Sequence, residues 1–97
     1  MTDEVVLVTV LVPGVLRAEC GGAARLEVTC RPHLGAMLDQ LAQDWPRLHR
    51  RVRDEQGQVR RFVNVYVDGE DCRSLQELAT PLGNGSEVQV LPSVAGG

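Results

Sequence analysis

Ninety-seven residues suffice for one domain and are too few for two separate cores. With 43% hydrophobic residues, 24% charged residues and a net charge of −3, the chain is neither wholly disordered nor, taken as a whole, attracted to nucleic acid. Three widely spaced cysteines with no C-x-x-C pair, Cys20, Cys30 and Cys72, exclude a complete disulfide framework and favour a reducing compartment.

The first four residues, Met1-Thr2-Asp3-Glu4, are acidic where a secretory signal needs positive charge. The apolar run that follows is too short to span a bilayer, so the expectation is a cytoplasmic protein without a membrane role. Val5 to Val12 is β-branched and nearly all apolar before Pro13-Gly14 stops it. That predicts a central strand covered on both faces. Residues 14–23, with Gly21-Gly22, read as a loop. In Arg25 to Thr29, Leu26 and Val28 alternate with polar neighbours, the pattern of a half-buried strand paired with the first.

The period then changes. Leu34, Leu38, Leu41 and Trp45 fall at i, i+4, i+7 and i+11 on one helical face. Pro32 suits the first helical turn, and Pro46 ends or kinks the helix. Leu48 and Val52 extend a further short turn. Residues 53–61 are polar and predict a surface loop. Val63, Val65 and Val67 alternate along the next strand, and "DGED" at 68–71 is a turn. Leu75, Leu78 and Leu82 anchor a short irregular piece, Asn84-Gly85 makes a tight turn, and Val88, Val90 and Leu91 form a last strand closed by Pro92. The order β-β-α-β-(short)-β implies an α+β fold, one main helix on a mixed sheet. It is similar to the β-grasp, or ubiquitin-like, order, in which the first and last strands lie side by side in mid-sheet. The expected organisation is one domain over residues 1–92 and a tail over 93–97. Each cysteine reads as a small buried hydrophobe, with Cys72, in a predicted loop, the one most open to solvent.

The stretches "RFVNVYVDGEDCRSL" and "LATPLGNGSEVQVLPSVAGG" resemble the ubiquitin-like sulfur carriers of the MoaD/ThiS group. The marks are the strand Phe62–Val67 with its acidic turn, the Gly85-Ser86-Glu87-Val88 entry to the final strand, and terminal Gly96-Gly97. The resemblance is strongest over residues 61–97. Within the group, the chain length and the "LP-VAGG" ending look most like the actinobacterial cysteine-pathway branch. Two departures are "RPHLG" at 31–35, where an Asp-Thr helix cap is usual, and Gly85-Ser86, where Gly-Asp is usual.

The resemblance implies a carrier with no catalysis and no bound cofactor or metal of its own. An E1-like adenylyltransferase would use ATP to adenylate Gly97, and a sulfide source would convert it to a thiocarboxylate. That thiocarboxylate would then give its sulfur to an accepting synthase. In the cysteine branch the acceptor holds aminoacrylate on pyridoxal phosphate (PLP), and a metalloprotease releases the cysteinyl adduct. Gly96, Ala95 and Val94 would line the tail within the partner's channel, where glycine lets the backbone pass closely. By the same analogy, Tyr66, Leu75 and Leu91 are candidates for a partner interface on the sheet.

Two other roles share this fold. One is a protein modifier conjugated through Gly97, and the other is the small subunit of molybdopterin synthase. The absence of Lys argues only against self-chains. Six of the ten arginines, Arg47, Arg50, Arg51, Arg53, Arg60 and Arg61, crowd into fifteen residues. They read as a solvated face beside Asp54 and Glu55, with Arg60 and Arg61 as alternative docking charges for an acidic partner. No aromatic platform is interleaved for nucleic acid. His33 and His49 lack metal-ligand spacing.

Overall fold

The computed structural model describes residues 4–93. Strand β1 (Val6–Leu11) pairs antiparallel with β2 (Arg25–Cys30), from Val6 opposite Cys30 to Leu11 opposite Arg25. The predicted loop between them is mostly a 3₁₀ helix, Gly14–Cys20. Its Leu16 and Cys20 are buried, and Gly21 ends it in the left-handed region at φ +67°, which only glycine adopts without cost. Burial of those two apolar side chains anchors the segment to the core. Local sequence offers no comparable signal.

Helix α1 (Leu34–Asp44) buries Leu34, Met37, Leu38 and Leu41 against the sheet, as the spacing predicts, and Trp45 is its half-buried C-cap. Pro32 lies outside the first turn, because His33 is the N-cap. The His33 Nδ1 accepts the Ala36 N–H at 3.1 Å and so takes the place of the Asp-Thr cap. Such caps contribute about 1 kcal/mol. His33→Ala is therefore expected to cost about that much in urea denaturation, and His33→Asp to recover it.

Pro46 opens α2 (Pro46–Val52) at its first position, which separates the two helices because proline has no N–H to continue the ladder. Leu48 and Val52 are buried beneath it. Arg53 follows and turns inward, only 8% exposed. Its Nε donates to His49 Nε2 at 2.8 Å, and its Nη2 donates to Asp39 Oδ1 at 2.8 Å. Burial lowers the His49 pKa, the Arg53 and Arg50 charges lower it further, and Asp39 opposes them. The folded ring thus stays neutral to lower pH than the unfolded ring, whose ordinary value is 6.5. Below that pH the unfolded chain binds the extra proton. Stability from this site is complete above about 6.5 and falls as pH drops through the lowered folded value. Urea midpoints measured from pH 7.5 to 5 should show this loss, and His49→Gln should flatten it.

Strand β3 (Val63–Val67) turns through Asp68-Gly69 into β4 (Glu70–Asp71). Strand β5 (Glu87–Pro92) inserts between β1, to which it is parallel, and β3, to which it is antiparallel. The sheet order is β2-β1-β5-β3-β4, so the first and last strands are central neighbours, as the β-grasp order requires.

The turn before β5 is built from side chains. Asn84 Oδ1 accepts from Leu7 N–H at 2.9 Å, Gly85 has φ +84°, and Ser86 Oγ accepts from Gly83 N–H at 2.9 Å. Ser86 therefore satisfies the turn's backbone where the resemblance predicts Asp. Asp68 completes the entry, accepting the Glu87 N–H at 2.8 Å.

Two expectations are corrected. Strand β1 is central, but only one face is covered. Val6, Val8 and Val10 are buried, whereas Leu7 is 45% exposed, because the single helical layer lies on one side of the sheet. Cys72 is not open to solvent but 1% exposed. It begins a 3₁₀ turn, Cys72–Ser74, packed under β3. No helix among the described residues is long and apolar enough to cross a membrane.

Candidate functional site

The candidate site is the end of β5. A strand in the middle of a sheet is held from both sides, and the β3 ladder carries the hold to the exit. On the β3 side the pairing runs to Pro92 opposite Val63, and Ser93 N–H donates to the Phe62 carbonyl at 2.6 Å. On the β1 side it runs from Thr9 opposite Glu87 to Leu11 opposite Gln89. Val90, 1% exposed, anchors the strand in the core just before the exit. The expected working residues Val94, Ala95, Gly96 and Gly97 lie outside the described residues. Ser93 is the last position placed.

The expected interface residues are not all brought together. Tyr66 and Leu91 lie on the open sheet face. Tyr66 is opposite Gln89, and Leu91 is opposite Asn64, which makes the two diagonal neighbours, both half-buried. Leu75 packs against the core from a 3₁₀ connection and lines a hollow with Val67, Asp68 and Glu70, at the far end from Ser93. Leu7 and Leu11 share the open face with Tyr66 and Leu91. The nearly continuous apolar run of β1 concealed them.

The structure divides the arginine cluster. Arg47 reaches Glu19 at 3.1 Å, and Arg51 approaches the same carboxylate at 3.9 Å. Arg53 belongs to the inward network with Asp39. Arg60 donates Nε to the Arg50 carbonyl, and Arg61 lies over the Phe62 ring, 5.6 Å from its centre. The acidic partners are thus Glu19 and Asp39, not the sequence neighbours Asp54 and Glu55, because the helices face other elements. Phe62, 54% exposed, stands beside the exit.

Little side-chain chemistry gathers here. Cys20, Cys30 and Cys72 are buried free thiols. Burial raises the pKa of Cys30, and burial followed by the Asp71 charge raises that of Cys72. Both are therefore held as thiols, whereas the thiolate is the nucleophile. Among the described residues no three His, Cys, Asp or Glu side chains converge on a metal-sized site. What the arrangement supplies is a rigid platform from which a chain segment departs.

Known proteins share this platform. The family model described as ThiS matches residues 10–97. "Sulfur carrier protein CysO" of Mycobacterium tuberculosis is 38% identical over 92 residues, covering 93% of this chain and 98% of that relative. "Molybdopterin synthase sulfur carrier subunit" of the same organism is 37% identical over 92 residues, covering 93% and 96%. A solved structure of the Amycolatopsis orientalis BexX/CysO complex contains a chain that superposes with a TM-score of 0.83 at 32% identity, covering 93% of this chain and 99% of that one. The match to the family model takes in the Asn84–Ser86 turn, the central β5 and the segment through Gly97, and on that ground the chain belongs to the ThiS family.

Proposed function

We propose that this chain is a sulfur carrier whose working atom is the α-carboxyl carbon of Gly97. An adenylating partner joins that carboxylate to AMP from ATP and releases pyrophosphate. A sulfide source then displaces AMP and leaves a thiocarboxylate. Its sulfur attacks an electrophile held by a separate acceptor enzyme. The chain's own side chains take no part in making or breaking these bonds. They hold β5 in mid-sheet, so that the terminal residues start from a fixed point at Ser93. Four residues beyond Ser93, fully extended, span about 14 Å, enough to reach into a partner's active-site channel.

The observation that carries this reading is the family match through Gly97, together with relatives named as sulfur carriers that align over nearly their whole length. Cysteine assembly is the favoured pathway. The CysO relative matches in sequence, and a solved CysO structure and a chain of the BexX/CysO complex match in fold. The acceptor would then be a PLP-dependent synthase, and a metalloprotease would free the product. The three buried free thiols suit a reducing, cytoplasmic setting.

Intact-mass measurement after expression with the adenylating enzyme tests the reading. The expected result is a mass ending at Gly97 and raised by the replacement of one oxygen by sulfur, with the new group alkylated by a thiol reagent. A chain processed elsewhere, or found mainly in isopeptide-linked conjugates, overturns it. A chain that co-purifies tightly with a catalytic subunit and lacks any free thiocarboxylate form points instead to a molybdopterin synthase subunit.

A further inference from the structure

The end of the sheet from which Ser93 departs is rich in arginine and poor in carboxylate. On one side of β5, Leu91 lines a shallow hollow of about 280 Å³ with Leu11, Arg17 and Arg25. On the other, Pro92 and Ser93 line one of about 380 Å³ with Arg50, Arg51, Arg60 and Phe62. Neither hollow has a carboxylate in its lining. Among the described residues the ion pairs engage Arg47, Arg51, Arg53 and Arg73, and leave Arg17, Arg25, Arg50 and Arg60 without an acidic partner. Arg17 and Arg60 each donate Nε to a backbone carbonyl, those of Val12 and Arg50. Those bonds hold the guanidinium groups in place without neutralising them.

The sign reverses at the other end of the same strands. Asp68 and Glu70 line a hollow with no basic side chain, and Glu87 begins β5 beside Asp68. The net charge of −3 is therefore unevenly spread along β5, with arginines gathered around Ser93 and carboxylates around Asp68.

We propose that this arginine-rich end is the docking surface for an acidic protein rim. The partner carries Asp and Glu side chains around the mouth of the channel that receives the segment after Ser93. The proposal rests on the carrier reading and names the chemistry of the partner it needs. Guanidinium forks match carboxylates in geometry as well as charge. This uneven charge turns the approaching carrier so that the end at Ser93 leads, which raises the association rate more than the final affinity. A nucleic acid fits less well. Its phosphates would meet the acidic end of this small domain, and Phe62 is the one strongly exposed aromatic side chain at the site, where strand binding needs several.

The test uses the full-length chain and the adenylating enzyme of its source organism, with kcat/KM for Gly97 activation measured from low to physiological ionic strength. The variant R25Q/R50Q changes two exposed side chains that make no ion pair, so its circular dichroism should match the parent. Expected is a fall of about 10-fold in kcat/KM at low salt with kcat nearly unchanged. The difference should shrink as salt is added. Glu70→Gln, at the opposite end, should change the rate less than about 2-fold. Equal rates for parent and R25Q/R50Q at all salt concentrations overturn the docking surface. So does tighter binding of a single-stranded oligonucleotide than of poly-glutamate in titrations of the ¹⁵N-labelled chain. If the parent itself is never adenylated, the carrier reading fails first, and the two failures are thereby distinguished.

Discussion

A chain lacking Gly97, or carrying one extra residue beyond it, is expected to accept no measurable sulfur while its circular dichroism and thermal melt stay unchanged. The two halves of this expectation have separate causes. The described residues end at Ser93, and the last strongly buried side chain among them is Val90, so the described core is assembled without the final glycine. Chemistry at a carboxyl carbon, however, depends on placing that carbon beside the nucleotide. A displacement of even 1 Å can cost about 100-fold, and one residue of extended chain moves the reacting atom by about 3.5 Å. A loss well beyond 100-fold in loading rate is therefore expected, read by intact mass against time. Loading that survived the deletion would remove Gly97 from the mechanism.

The second large effect lies in the core. Leu41→Ala is expected to destabilise the domain by about 2–5 kcal/mol. Leu41 is fully buried on the face of α1 that packs on the sheet, among Leu38, Met37 and Leu34. Truncation removes favourable burial and leaves a cavity that rigid neighbours fill only in part. The core is aliphatic, and the three aromatics Trp45, Phe62 and Tyr66 all lie outside its fully buried set. A domain of this size has a total stability of about 5–15 kcal/mol, so the loss should lower Tm by at least about 10 °C. Leu7→Ala, on the open face of β1, should stay within about 0.5 kcal/mol. Comparable losses for both would mean that the open face is packed after all.

The contrast between Leu41 and Leu7 also shows where reading the chain succeeds and fails. Leu34, Leu38 and Leu41 recur with the helical period, so their shared face was legible without coordinates. Leu7 sits in a nearly all-apolar run that carries no clear period, and the sequence could not say which side of the sheet lacks a covering layer. Arg53 and Arg50 are likewise alike as letters. Position alone turns one inward to His49 and Asp39 and leaves the other at the exit of β5. Of the three buried-type cysteines, Cys72 reads as the one most open to solvent, since a 3₁₀ turn of three residues leaves no periodic trace of its burial. His33 does the work of an Asp or Thr cap because its Nδ1 happens to reach the Ala36 N–H, a substitution that residue-type preferences do not anticipate.

By itself the sequence determined the order of strands and helix, the break at Pro46, the turn at Asn84-Gly85 and the uncharged Gly96-Gly97 ending. These depend on neighbours within a few positions, through periodicity and backbone preference. Only the tertiary structure decided that one sheet face stays open, that Cys72 is as buried as the other two thiols, and that the arginines divide between internal partners and the rim around Ser93. Those outcomes depend on contacts between residues distant in the chain, and no local pattern encodes which distant partner a side chain will meet.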